Sequence, residues 1–112
     1  MRIVVTGGRT YSDAAMVYDV LDALNPMTVM VGDAAGADAI ARDWAVDRER
    51  DMFVYKADWD ANGKAAGPMR NKKMLVDAGL HAVVIAFPGG KGTEHCVKQA
   101  KAFNMIVLRV EG

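Results

Sequence analysis

Three short stretches of this chain put glycines where chemistry needs bare backbone. They are Gly7-Gly8-Arg9, the run from Gly32 through Asp33 and Gly36 to Asp38, and Gly89-Gly90-Lys91-Gly92-Thr93. Glycine lets a backbone approach a ligand closely and supplies positive φ angles. Each stretch follows an apolar run and precedes an amphipathic one, so each opens a helix. A helix start exposes unpaired N–H groups at the positive end of the helix dipole. Together these features make a cradle for phosphate. Thr93 adds a hydroxyl that caps the last helix or bonds a phosphate oxygen. The G-x-G-x-x-G dinucleotide fingerprint and the P-loop pattern are both absent.

Charged and aromatic residues flank these loops. Arg70, followed by Asn71, falls at the start of the third helix. It reads either as a bidentate phosphate contact or as a surface arginine paired with a carboxylate. Its place near the strand edge favours phosphate, and Arg9 carries the same two readings. Asp33 and Asp38 suit ribose hydroxyls or proton transfer, although Asp38 equally suits helix capping. Tyr11 and Trp59 are candidates for base or sugar contacts, or they pack over and under their loops. Trp44 lies on an apolar helix stripe and reads as core. Lys64 and Lys91 read as solvated. His81 and His95 lack partners at metal-ligand spacing, so no metal site is expected. Cys96 sits one turn into the last helix, where the dipole lowers a thiol pKa. Packing in the core is its simpler reading.

The elements that must position these residues alternate. Strand candidates are Ile3–Thr6, Thr28–Val31, Met52–Lys56, His81–Phe87 and Ile106–Val110. Helices are expected over residues 13–24, 37–49, 69–78 and 93–103. Val17, Val20, Leu21 and Leu24 show the one-face spacing of the first helix. Ser12 or Asp13 caps it, and Asn25-Pro26 ends it. Gly79 marks the C-terminal cap of the third helix. The polar segment 58–68 reads as the longest connection and a binding loop. Short, almost wholly apolar strands indicate a parallel sheet covered on both faces. The expected fold is therefore α/β: a Rossmann-like three-layer α/β/α sandwich with a five-stranded, mainly parallel sheet. In such a sheet the glycine loops gather at the carboxyl edge of the strands, where ligands bind.

Composition narrows the class further. The 112 residues include 14 Lys+Arg and 14 Asp+Glu, for a net charge of zero. That balance argues against a protein that coats nucleic acid or an anionic membrane by bulk charge. At 52% hydrophobic and 25% charged residues the chain is globular. Its length predicts one domain, 1–112. One cysteine excludes an internal disulfide and suggests a reduced, cytoplasmic setting. No apolar stretch approaches the roughly 20 residues that cross a bilayer, and no signal peptide is read at the N-terminus.

The combined motifs resemble a known bacterial and phage family. Gly7-Gly8-Arg9-x-Tyr11-x-Asp13 begins the pattern. Gly32-x-Ala34-x-Gly36-Ala37-Asp38 follows, with Ala41 and Trp44-Ala45. Ala57-Asp58-Trp59, Gly63-Lys64-x-Ala66-Gly67-Pro68-x-Arg70-Asn71 and Phe87-Pro88-Gly89-Gly90-x-Gly92-Thr93 complete it. The chain resembles the YspA, cpYpsA-related branch of the SLOG superfamily, which groups Lonely Guy-type with SMF/DprA proteins. The resemblance implies a Rossmann-like sheet that binds nucleotides or nucleotide-derived ligands. Lonely Guy enzymes are phosphoribohydrolases with a P-G-G-x-G-T-x-x-E motif, matched here from Pro88 through Thr93. Their arginine looks similar to Arg70, but their glutamate falls at Cys96 in this chain. Cysteine cannot supply the oxygen pair that stabilises an oxocarbenium-like state. Asp33, Asp38 or Glu94 are the carboxylates left to substitute.

The expected function is binding of a nucleoside monophosphate, ADP-ribose or NAD-like ligand, in a sensing, sequestering or processing role. An N-glycoside hydrolase of the phosphoribohydrolase type is the enzymatic alternative. DprA-like binding of single-stranded DNA is a second alternative, disfavoured by the charge balance and scattered lysines. No resident cofactor is expected. The resemblance implies a homodimer or higher homo-oligomer, and the apolar helices and eight methionines suit an isologous interface. Five strands and four helices leave no room for a separate substrate domain. The site is then expected to be built from loops at one sheet edge, with a second subunit as a candidate to complete it.

Overall fold

The structure, a computed structural model, describes residues 1–111. Five parallel strands form the sheet: β1 (Arg2–Thr6), β2 (Thr28–Gly32), β3 (Asp51–Tyr55), β4 (Val83–Ala86) and β5 (Ile106–Arg109). Their order is β3-β2-β1-β4-β5, with every neighbouring pair parallel. β1 occupies the centre, and the order reverses on its two sides. That is the switch point at which open α/β sheets leave a crevice.

Alternating residues of β1 feed two cores, because successive side chains in a strand point to opposite faces. Ile3 and Val5 join Val29, Val31 and Ile85 against α1 (Ala14–Leu24) and α2 (Ala37–Asp47). Val4 joins Met30 and Val84 against α4 (Ala66–Ala78) and α5 (Lys91–Ala102). This double burial is what the continuous apolar strands require. Trp44 is fully buried in the first core. Its indole N–H donates to Asp22 at 2.8 Å, so the ring is packed without leaving its polar atom unpaired.

Local signals set most element ends. Asp13 caps α1 by accepting from the Met16 amide at 3.0 Å. Asn25 then ends that helix in the left-handed region, at φ 52°. Gly79 closes α4, its amide donating to Leu75 at 3.2 Å.

Two expectations need correction. Residues 58–68 are not a loop: α3 (Trp59–Asn62) and a 3₁₀ turn (Gly63–Ala65) run directly into α4. The described residues thus form five α-helices rather than four. Gly67 and Pro68 read as breakers but lie in the first turn of α4, where proline's missing N–H has no intrahelical partner to lose. The last helix begins at Lys91, earlier than expected, and its N-cap is Gly90. Thr93 is inside that first turn and buried, so it is not the cap.

Candidate functional site

The three glycine stretches meet at Gly8. Its amide donates to the Pro88 carbonyl at 2.9 Å. Its own carbonyl accepts from Tyr11 at 3.2 Å and from Ala37 at 3.1 Å. The first loop is thereby bonded to both others. Gly7 is required by the same closeness, since a Cβ there would lie 2.5 Å from the Ala37 Cβ. Gly36 turns with φ 73°, and a side chain on it would strike the Gly8 and Arg9 backbone.

Above this junction opens a cavity of about 1060 Å³, large enough for a nucleotide-sized ligand. Gly7, Gly8, Arg9 and Tyr11 line it from the first loop, and Gly32 and Asp38 from the second. Gly89, Gly90, Gly92 and Thr93 line it from the third. Trp59, Arg70 and Asn71 complete the wall from α3 and α4. Asp33 and Gly36 do not line it, and Asp33 is exposed. Glu94 lies elsewhere: it borders a smaller cavity of about 340 Å³ and accepts from Arg109 at 2.9 Å. That bond draws its carboxyl below its ordinary pKa. The glutamate that was one of three candidate substitutes therefore faces a different space.

Arg70 takes the carboxylate-paired one of its two readings. Its Nη1 donates to Asp33 at 3.1 Å and to the Tyr55 carbonyl at 3.3 Å, while Nε donates to Asn71 at 2.8 Å. It is paired with a carboxylate and also faces the cavity. Gly32 makes this possible, because a Cβ there would overlap the Arg70 guanidinium and lie 2.6 Å from Asp38 Oδ2.

Asp38 does not cap α2. Its Oδ2 accepts from the Ala34 amide at 3.3 Å, tying the loop down in front of its own helix. The side chain is buried, and burial pushes its carboxyl up to about 6. Arg70, the Ala34 amide and Arg42 pull the other way. A carboxyl poised there exchanges a proton near neutral pH.

Arg42 was not singled out in the sequence. It donates to the carbonyls of Gly32 at 2.8 Å and Ala34 at 3.0 Å, bracing the loop from α2. Its signal was only a cation one helical turn beyond Asp38, which also describes many solvated arginines. Ser12, His95 and Met74 are further cavity residues without a distinctive pattern, and Lys64 and Lys91, read as solvated, also line it.

Cys96 is fully buried in the second core. Burial raises its thiol to about 11, so it stays neutral. The dipole-lowered pKa considered for it is overturned by desolvation. Tyr11 stacks against Phe87 at 5.6 Å between centroids, and its hydroxyl is buried without a protein partner. Trp59 is half exposed, with the Arg9 guanidinium 5.7 Å from its ring centroid.

A parallel sheet with glycine loops and helix starts converging on one cavity defines a Rossmann-like fold. The chain belongs to the YspA, cpYpsA-related SLOG family, whose model matches residues 1–61. It is similar to the Gene 61 protein of Mycobacterium phage D29, at 38% identity over 96% of this chain and 94% of that one. Among solved structures it is similar to DNA processing protein A (DprA) from Streptococcus pneumoniae, with a TM-score of 0.62 and 16% identity. That likeness covers 96% of this chain but 58% of the DprA chain, and it concerns the fold. Membership of the SLOG family suggests nucleotide-related ligand binding. No helix among the described residues is long and apolar enough to cross a membrane.

Proposed function

We propose that the chain binds a nucleotide or nucleotide-derived ligand in the large cavity, with a phosphate on the amides at the start of α5. The convergence of all three glycine loops on Gly8 carries this reading. The start of α5 offers backbone N–H groups without intrahelical partners, and Lys91 and His95 stand beside it. Arg70 is charge-compensated by Asp33, so it suits a hydroxyl-rich sugar beside Asp38 better than a second full negative charge. The polar floor and the aromatic pair Tyr11 and Trp59 then accommodate ribose and base.

Calorimetry with nucleoside monophosphates, ADP-ribose and NAD tests the reading. Saturable one-to-one binding is expected, and Gly90→Pro should weaken it at least tenfold. Heat no different from buffer dilution across the whole panel would sink it.

The buried carboxyl of Asp38 favours a second reading, cleavage of the N-glycosidic bond of a bound nucleoside 5′-monophosphate. Asp38 would activate the water that attacks the sugar as the base leaves with a proton. Chromatography of free base separates the two: release in the wild type, lost in Asp38→Asn with binding retained, marks an enzyme. Single-stranded DNA is the competing macromolecular ligand, and a salt-sensitive gel shift would mark it.

A cytoplasmic homodimer belongs to the same proposal. Met69, Val76 and Leu80 are exposed on or just beyond α4, at spacings of seven and four residues. They suit a self-complementary helix contact.

A further inference from the structure

We propose that Trp59 reads the ligand's heteroaromatic base, and that Arg9 rests on its ring until the base displaces it and frees Arg9 for the phosphate. This rests on the nucleotide reading above and adds a ligand requirement: a planar base and a phosphate on one molecule.

The two tryptophans are built for different purposes. Trp44 is fully buried and its N–H is paired with Asp22. Trp59 is 47% exposed and lines the cavity, so its ring is accessible from that space. Its position is nevertheless defined. Asp58 caps the short helix by accepting from the Ala61 amide at 3.1 Å. Gly67 lies beneath the ring, where an added Cβ would stand 3.3 Å from its outer edge. Both Trp59 and Gly67 line the cavity.

Arg9 lies over the ring, its guanidinium carbon 5.7 Å from the centroid. None of the three ion pairs among the described residues includes it. A guanidinium over an exposed ring is a weak contact. Base stacking on an aromatic residue changes affinity roughly 5- to 150-fold, so a base competes well for the surface. The root of Arg9 is already at the phosphate cradle. Its neighbour Gly8 is bonded to Pro88, immediately before the loop that opens α5. A side chain released from Trp59 therefore starts beside that loop and can pair with a phosphate through its planar fork.

Displacement predicts effects of opposite sign in one variant, which a structural or purely electrostatic role for Arg9 does not. The probes are the tightest-binding of AMP, GMP, CMP and UMP, its parent nucleoside, and ribose 5-phosphate. In the wild type the nucleotide should quench tryptophan emission, and ribose 5-phosphate should not. Trp59→Phe should remove that signal while keeping most of the affinity, because the ring face survives. Trp59→Leu should weaken the nucleotide at least tenfold and tighten ribose 5-phosphate, because no ring then holds Arg9 away from the phosphate. Arg9→Ala should weaken the nucleotide severalfold yet tighten the nucleoside severalfold, since nothing then covers Trp59.

Nucleotide binding without a change in Trp59 emission overturns the proposal. So does nucleoside affinity that is unchanged or reduced in Arg9→Ala, with the nucleotide reading left standing. If no nucleotide binds the wild type at all, both fall.

Discussion

A carboxyl enclosed between Arg70 and Arg42 is pulled two ways, toward ionisation by the cations and toward neutrality by lost hydration. In Asp38 hydration loss wins, and its carboxyl rises from an ordinary 3.8 to about 6. An acid whose folded pKa exceeds its unfolded one favours the fold fully below about pH 4. That contribution is lost as pH rises through 6. Asp38→Asn has no such loss, yet its amide oxygen can still accept from Ala34. The variant should gain on the wild type by about 1–3 kcal/mol between pH 4 and pH 7. Urea midpoints at the two pH values measure this, and a pH-independent difference would contradict it. Asp38 as a polar residue beside a glycine loop was legible in the sequence. Its titration was not, because burial depends on what α4 lays over it.

At the scale of elements, the β2–α2 turn is the joint on which the site depends. Gly32 ends β2 directly under Arg70 and Asp38, with no room for a methyl group. Gly32→Ala must push both side chains away. Overpacking of this kind costs about 1–3 kcal/mol, and the displaced Arg70 loses its bonds to Asp33 and the Tyr55 carbonyl. A lower melting temperature and at least tenfold weaker ligand binding are expected, read by calorimetry; wild-type behaviour would show that the joint is slack. The three loops were recognisable because glycines after β-branched runs have few other uses. The α3 segment was misread for the same reason. Gly63, Gly67 and Pro68 look like punctuation, yet Gly67 makes room for the Trp59 ring and Pro68 sits in a helix's first turn. Residue type signals a turn, but a close approach elsewhere in the chain can demand the same residue.

For the molecule as a whole, zero net charge conceals a local arrangement. Arg9, Lys64, Lys91 and His95 line the cavity, while the exposed Asp33 pairs with Arg70 and the buried Asp38 lies close to it. On the proposed reading, such a site would attract one anion without attracting polyanions in general. The exposed stripe on α4 bears on assembly. Light scattering should give twice the 12.1 kDa chain mass, and Val76→Lys should return it to a monomer. A wild-type monomer at micromolar concentration would remove the dimer from the reading. The alternation of apolar runs with amphipathic helices was sufficient for the sequence to determine a parallel sheet with its loops at one edge. Periodicity and β-branching are local properties, and right-handed crossovers leave few topologies. Only the tertiary structure decided that Gly8 joins the three loops, that Glu94 faces another cavity and that Arg9 lies on Trp59. Those outcomes depend on contacts between residues far apart in the chain, where one ångström separates a neighbour from a bystander.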